Sequence, residues 1–207
     1  MDIRSSSNAT RQRPGPSYRA SRIWAGANDL FDGQTNPLIP ADNLKADIQT
    51  LISKGAKNFL VANLPSLDQT PLGQSEGLTA QAGLKLLTAG FNLELAADLG
   101  QIQAANPDVQ LHRLDAFGLF QSVIGNPTSY GLTNVTAPAI LFAPGGPDSA
   151  FADGFLFFDA VHPTQAAGKL IGASASAAVA PEPSSAALLL IGGAGILGCG
   201  RMLRRKA

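Results

Sequence analysis

The chain has 207 residues, of which 45% are apolar and 14% are charged, a composition typical of a globular protein with one sizeable core. Fifteen basic and fifteen acidic side chains cancel, so no overall field attracts nucleic acid, and we expect no nucleic-acid partner. The single cysteine, Cys199, has neither a disulfide partner nor zinc-ligand spacing, so no disulfide framework, metal framework or cofactor is expected.

The first segment, Met1 to Ala20, is polar, basic and rich in proline, which predicts a disordered leader. It contains no apolar stretch of seven or more residues and therefore no core of a secretory signal. We assign no chemistry to it.

From Ser21 onward, short apolar runs alternate with longer helical patterns. The runs Arg22 to Ala27 and Asn58 to Asn63 predict strands, and Ala41 to Lys54 between them predicts a helix. A second helix is predicted from about Ser75 to Ala105, where Asn106-Pro107 stops it. Within it, spacings of three, four and seven place on one face the apolar residues Leu84, Leu87, Phe91, Leu95 and Ile102.

The remaining elements continue the alternation of strand and helix. Val109 to Leu114 predicts a strand, Phe117 to Ile124 a short helix, and Thr164 to Ser176 a last helix started by Pro163. This order predicts an α/β fold, a parallel sheet with helices on both faces, in which ligands bind at the carboxyl ends of the strands. Ala25 to Asp29 and Asn63 to Pro65 each follow a strand and are expected to face one crevice.

The C-terminal segment has a stop-transfer pattern. Fifteen uncharged residues, Ala186 to Gly200, precede a basic cluster made of Arg201, Arg204, Arg205 and Lys206. As a helix they span roughly 23 Å, less than the ~30 Å of a hydrocarbon core, so a buried helix or a signal segment competes with a membrane span. Ser184 to Leu203 gives twenty positions if Arg201 snorkels. The basic cluster predicts a cytoplasmic tail, with the folded domain outside.

Pro181-Glu182-Pro183, the apolar segment and the basic cluster together resemble the PEP-CTERM sorting signal of exported bacterial envelope proteins, over about Val179 to Ala207. This resemblance implies anchoring in the inner membrane by the C-terminal helix and processing by a membrane sorting enzyme, an exosortase. It also implies a secretory signal, which Met1 to Ala20 does not supply, so we expect that the beginning of the protein is missing.

Asp159 and His162 are candidates for a catalytic acid and base. They stand three residues apart, just before Pro163, so that the carboxylate can approach one ring nitrogen of the histidine. In serine hydrolysis an imidazole takes the hydroxyl proton and an acid holds its tautomer. Helix capping by either residue is the alternative interpretation. The other histidine, His112, lies on a predicted strand and is expected to be a surface or lightly buried side chain.

Asn28 is the candidate oxyanion donor. Its side-chain amide can donate a hydrogen bond, and the neighbouring Gly26 lets the backbone approach closely. Ordinary turn or helix-cap chemistry after a strand explains the same residues.

Five segments in order resemble the GDSL lipase/esterase family, also called SGNH hydrolases, over about Ser21 to Gly172: Trp24 to Asp29, Asn63 to Pro65, Phe91-Asn92, Asn126 to Gly131 and Phe158 to Thr164. The resemblance implies a flavodoxin-like three-layer α/β/α fold and hydrolysis of a small-molecule, lipid or glycan ester. By matching segments, it makes Asn28 the oxyanion asparagine, His162 the general base and Asp159 the acid that orients it.

Two blocks of that family have no match in the chain. They are the Gly-Asp-Ser-Leu block with the nucleophilic serine and a later block that gives a glycine to the oxyanion hole, and with them the first strands of the sheet are missing. No Gly-Asp precedes the early serines Ser5, Ser6, Ser7, Ser17 and Ser21. Because loss of the nucleophile costs a serine protease about 10⁶-fold in turnover, we expect this chain alone to be nearly inactive.

The expected organisation is a leader over residues 1–20, a partial hydrolase domain over 21–178 and a sorting signal with a transmembrane helix over 179–207. The leading hypothesis is the C-terminal portion of an exported serine-type ester hydrolase. The alternative is a non-catalytic envelope protein that keeps the hydrolase fold for binding or display. A Gly-Asp-Ser-Leu block and a signal peptide encoded upstream of Met1 would favour the enzyme.

Overall fold

Three parallel strands form the sheet, in the order β1-β2-β3. The computed structural model describes residues 20–142 and 150–180. Strand β1 is Ser21–Ile23, β2 is Asn58–Ala62 and β3 is Gln110–Leu114. Since β2 pairs with both other strands, β1 and β3 lie at the two edges of the sheet in the described part of the chain.

Helices connect the strands. Between β1 and β2 are α1 (Ala27–Phe31) and α2 (Leu38–Ser53), and between β2 and β3 are α3 (Pro71–Ser75) and α4 (Leu78–Ala105). After β3 come α5 (Ala116–Gly125) and α6 (Gln165–Val179). Single 3₁₀ turns lie at Leu67–Gln69, Pro127–Tyr130, Ala139–Leu141 and Ala152–Gly154.

Alternation along β2 distributes its side chains between two helical layers. Phe59 and Val61 belong to the main core, which α2 and α4 complete. Leu60 and Ala62 face the other way, where they pack against Ile171 and neighbouring residues of α6. Helices therefore cover both faces of a parallel sheet, and the predicted α/β fold is confirmed.

The predicted apolar face of the long helix is also confirmed. Leu84, Phe91, Leu95 and Ile102 of α4 are buried in the main core, and Leu87 packs against it. The periodicity did not reveal that Asp98 on the same helix is fully buried as well.

Several predicted boundaries were wrong for local backbone reasons. The first strand ends at Ile23 rather than at Ala27, because Gly26 takes a φ of +104° and α1 begins directly after it. The long helix begins at Leu78 rather than at Ser75, since Gly77, with a φ of +83°, separates α3 from α4. Helix α2 begins at Leu38, three residues before the predicted start at Ala41. Pro40 is tolerated there because it lies in the first turn, where backbone nitrogens donate no helical hydrogen bond.

No helix within residues 20–142 and 150–180 has the length and apolar composition needed to cross a bilayer. The apolar segment Ala186 to Gly200 and nearly all of the leader lie outside these residues, so the predicted membrane span and sorting signal stay predictions.

Gly26 fixes the turn between β1 and α1. A Cβ at this position would lie 2.5 Å from Cε2 of Phe91, a ring of α4 that is fully buried. The positive φ is also strained for any residue with a side chain. Both constraints restrict this position to glycine, and they hold the start of α1 against α4.

We expect Gly26→Ala to lower the free energy of unfolding by about 2 kcal/mol or more, because it adds a clash with Phe91 to the backbone strain. Gly33→Ala is the matched control, since Gly33 has a φ of +96° but nothing within 4 Å of an added Cβ. It should lose only about 1 kcal/mol. Urea unfolding of both variants measures the difference, and equal losses would show that contact with Phe91 does not matter.

Candidate active site

Asn28 lies at the carboxyl end of β1. The strand ends at Ile23, the chain turns at Gly26, and Asn28 is the second residue of α1. Its side chain is exposed, and the structure shows no helix-capping hydrogen bond from a side chain at the start of α1. The amide of Asn28 is therefore available to a ligand, and the capping alternative does not describe this helix.

Asp159 organises the turn that carries His162. Its Oδ1 accepts hydrogen bonds from the backbone amides of Val161, at 2.9 Å, and His162, at 2.7 Å. Its Oδ2 lies 2.8 Å from Nδ1 of His162. The spacing predicted the contact with the ring, and the structure adds that the same carboxylate also fixes the backbone of the turn.

Helix capping next to this turn is performed by another residue. Thr164 is the N-cap of α6: its Oγ1 accepts from the amide of Ala167 at 3.2 Å and donates to the carbonyl of Phe155 at 2.6 Å. Helix α6 begins at Gln165, one residue after the predicted start at Thr164, because Thr164 is the N-cap. Because Thr164 caps the helix, the side chains of Asp159 and His162 are left to pair with each other.

The turn is also fastened to the rest of the domain. The amide of Phe158 donates to the carbonyl of His162 at 2.7 Å, and the amide of Leu72 in α3 donates to the carbonyl of Ala160 at 2.9 Å. Phe157 and Pro163 form an antiparallel bridge at the base of the turn. These contacts give the histidine a defined position, although 73% of its side chain is exposed.

The Asp159 carboxylate is stabilised in its ionised form. Burial raises its pKa, but the amides of His162 and Val161 and the His162 ring outweigh burial, so the pKa of Asp159 lies below its ordinary value. An ionised carboxylate only accepts hydrogen bonds, so Nδ1 of His162 is the donor in this pair. A neutral His162 then carries its free lone pair on Nε2, the arrangement that a general base requires.

Asn28 and His162 line the same cleft, which has a volume of about 160 Å³. Apolar groups form most of its wall, among them the aromatic residues Trp24, Phe31, Phe120 and Phe157. The polar residues of the lining are Asn28, Thr70 and His162. Two of the predicted site residues therefore meet at one cleft, and Asp159 joins them through its hydrogen bond to His162.

No serine contributes to the lining of this cleft within residues 20–142 and 150–180. Of the early serines, Ser21 begins β1, while Ser5, Ser6, Ser7 and Ser17 lie outside the described residues. The described part of the site thus provides an amide donor and a carboxylate-bound imidazole beside an apolar surface.

Asn92 of α4 shapes the cleft, a role that the sequence did not reveal. Its Oδ1 accepts from the amide of Leu64, and its Nδ2 donates to the carbonyl of the same residue, both at 2.8 Å. Leu64 and Pro65 follow β2 and line the cleft. The motif Phe91-Asn92 was visible in the sequence, but the strand end that it holds lies 28 residues away.

Two other residues that the sequence singled out lie away from the cleft lining. Asn63 pairs with the β3–α5 junction, where its Nδ2 donates to Asp115 and its Oδ1 accepts from the amide of Phe117, both at 2.9 Å. His112 is partly buried, and its Nδ1 lies 3.0 Å from the carbonyl of Ala178 at the end of α6. Both side chains form hydrogen bonds between elements of the fold.

The described residues also hold one group of carboxylates with the spacing of metal ligands: Asp42, Glu94 and Asp98, between α2 and α4. None of them lines the cleft. The sequence did not indicate this group, because its members come from different helices.

Known proteins resemble the chain over most of its length. A GDSL esterase/lipase of Arabidopsis thaliana is 27% identical over 177 residues, covering 72% of this chain and 49% of the plant protein. An acetylesterase of Thermothelomyces thermophilus is 27% identical over 55% of this chain and 40% of its own length. An uncharacterized protein of Pseudomonas putida is 31% identical over 79% of this chain and 28% of its own length.

The chain spans about half, or less, of the length of these curated relatives. The family model of GDSL-like lipases and acylhydrolases, in contrast, matches it continuously over residues 19–175, which include β1, the cleft and the Asp159–His162 turn. The chain therefore belongs to the GDSL-like lipase/acylhydrolase family.

Proposed function

We propose that this chain supplies the base, the orienting acid and one oxyanion donor of a serine-type ester hydrolase. One observation carries the proposal: Asn28 and His162 line a single cleft, and the Nδ1 of that histidine is bound to Asp159. Membership of a family whose relatives are named esterases and lipases supports the same reaction class.

Each residue has a distinct role in this proposal. Nε2 of His162 removes the proton of the attacking hydroxyl and later returns it to the leaving alcohol. Asp159 holds the tautomer and stabilises the imidazolium that forms. The side-chain amide of Asn28 donates to the oxygen of the tetrahedral intermediate, where one such donor contributes about 10²–10³-fold to turnover.

The nucleophile is assigned to a serine in a segment outside residues 20–142 and 150–180. The support is chemical, because the described cleft holds a base and an oxyanion donor but no hydroxyl of serine. In the complete protein, we propose, a Gly-Asp-Ser-Leu segment ahead of β1 brings that hydroxyl to the carboxyl ends of the strands.

The substrate is proposed to be an ester with an apolar acyl group, from a lipid, an acylated small molecule or an acetylated sugar. Aromatic and aliphatic side chains form most of the wall around Asn28 and His162. An apolar wall of this kind favours binding of an apolar acyl group. The proposed location is the cell envelope, with the C-terminal segment as inner-membrane anchor and exosortase substrate. This location rests on the order of Pro181-Glu182-Pro183, the apolar segment and the basic cluster.

A binding protein on a hydrolase fold is the second candidate, favoured by the lack of a serine in the described cleft lining. The nucleotides upstream of the Met1 codon discriminate between the two. A Gly-Asp-Ser-Leu block there supports the enzyme, and a natural gene without one supports binding.

The first test of catalysis uses the chain extended by the upstream Gly-Asp-Ser-Leu segment, with p-nitrophenyl butyrate as substrate. We expect hydrolysis, and we expect His162→Ala to lower kcat by about 10²–10⁴-fold or more, because no other group takes the proton. His112→Ala is the matched control, since it removes the only other histidine and should leave kcat unchanged.

Two outcomes would contradict this assignment. Full activity of His162→Ala would show that this histidine is not the general base. Strong hydrolysis by the 207-residue chain without any extension would show that a nucleophile lies among its own residues.

A second test concerns the charge of Asp159. Because its folded pKa is lowered, its carboxylate stabilises the fold fully above the unfolded value of ~3.9, and this stabilisation disappears as the pH falls through the folded pKa. Asp159→Asn should therefore be less stable than the parent chain at pH 7, and the gap should begin to narrow below about pH 4 and narrow further as the pH falls through the folded pKa. Urea unfolding of the 207-residue chain from pH 3 to pH 8 measures the gap.

Asp153→Asn is the control for that experiment, since Asp153 is an exposed carboxylate close in sequence. It should show no comparable change with pH. A gap for Asp159→Asn that stayed constant from pH 8 to pH 3 would mean that the ionised carboxylate does not hold the turn.

A further inference from the structure

The carboxylates of Asp42, Glu94 and Asp98 converge at the contact between α2 and α4. Glu94 and Asp98 stand one turn apart on α4, and Asp42 faces them from α2. One carboxylate oxygen from each residue lies within 4.8 Å of the other two. We call these three residues the acidic cluster.

Asp98 is the exceptional member of the acidic cluster. Its side chain has 0% exposure, and its Oδ1 is paired with Nζ of Lys45 at 2.6 Å. Its Oδ2 is buried and has no hydrogen-bond partner among the described residues. A buried carboxylate oxygen without a partner destabilises the fold, so this atom is a ligand position that the protein's own side chains do not satisfy.

The Lys45 ammonium neutralises only part of the negative charge of the acidic cluster. This ammonium group also donates to Oε1 of Gln101 at 2.7 Å, and it is the cation bonded to Asp98. Three carboxylates against one ammonium leave two formal negative charges at the α2–α4 contact. A divalent cation matches that excess, and carboxylate and amide oxygens are the ligands that hard cations prefer.

We propose that Asp42, Glu94 and Asp98 form a calcium-binding site, for which the Lys45 ammonium is an internal competitor. The ligand oxygens of the acidic cluster lie within 4.8 Å of one another, which is within the span of roughly 5 Å between oxygens around one Ca²⁺. Mg²⁺ requires a near-ideal octahedron and gives up its waters reluctantly, whereas Ca²⁺ accepts irregular sets of carboxylate and amide oxygens, so calcium is the better match for ligands from separate helices. The Oε1 of Gln101 becomes a further oxygen ligand when Lys45 moves away.

The site has a structural role. It joins α2 to the helix that contributes Phe91 to the Gly26 contact and Asn92 to the cleft wall. Bound calcium pairs Oδ2 of Asp98 and links the two helices, so it stabilises the folded chain over the unfolded one. Carboxylates from separate helices leave no cysteine or histidine pattern, so the sequence did not predict a metal site at this contact.

The test is a calcium titration of the 207-residue chain, followed by thermal unfolding and by calorimetry. We expect the melting temperature to rise and to saturate, with a Kd of about 10⁻⁴–10⁻³ M, as for weak extracellular calcium sites. Magnesium should bind at least about tenfold more weakly, and sodium chloride at equal ionic strength should not reproduce the rise.

Three variants separate the site from general charge effects. Glu94→Gln should raise the Kd for calcium at least about tenfold, and Lys45→Met, which removes the competitor, should lower it by a similar factor. Asp47→Asn is the matched control, since it removes an exposed carboxylate from the same helix as Asp42 and should leave the Kd unchanged. Glu94 is only half-buried, so its variant folds even if Asp98→Asn does not.

The proposal is overturned if the parent chain shows no saturable response up to about 10 mM calcium. It is also overturned if Glu94→Gln binds calcium as well as Asp47→Asn does. None of the acidic cluster lines the cleft, so these results do not depend on whether the protein hydrolyses esters.

Discussion

The Asp159 carboxylate is the constraint on which the candidate site depends. Two backbone amides bind one of its oxygens, and Nδ1 of His162 binds the other. Because the same group fixes the turn and the ring, the histidine keeps one tautomer and one direction although most of its side chain is exposed. Thr164 makes this possible, since it caps α6 and leaves Asp159 free for the turn.

The parallel sheet places other cleft residues next to this turn. Asn28 follows β1 and Leu64 follows β2, so both stand at the carboxyl edge where clefts form in open α/β folds. Helix α4 supports both positions: Phe91 packs at the turn before Asn28, and Asn92 binds the backbone of Leu64. Apolar side chains form most of the wall beside the imidazole and the amide.

Local patterns predicted the parts of the fold that local physics determines. The apolar spacing of α4, the three strands and the Asp159–His162 turn follow from periodicity and from short-range hydrogen bonding. The sequence did not predict the break at Gly77, because the helical pattern continues through it. Only the positive φ of Gly77 separates α3 from α4. Asn92 binds the backbone of Leu64, 28 residues away, and Lys45 pairs with Asp98, 53 residues away. No local pattern can reveal contacts over such separations. The sorting signal involves residues outside the described ranges, so it remains a prediction.

The central claim is that Asn28 and His162 act on the same reacting group. A crystal structure of the chain extended by the proposed Gly-Asp-Ser-Leu segment, after reaction of that serine with a p-nitrophenyl phosphonate, tests this most directly. The account predicts a phosphoryl oxygen about 2.7–3.1 Å from Nδ2 of Asn28, with Nε2 of His162 within hydrogen-bond reach of the serine oxygen that is bonded to phosphorus. An adduct that formed away from the cleft, or that contacted neither side chain, would contradict it.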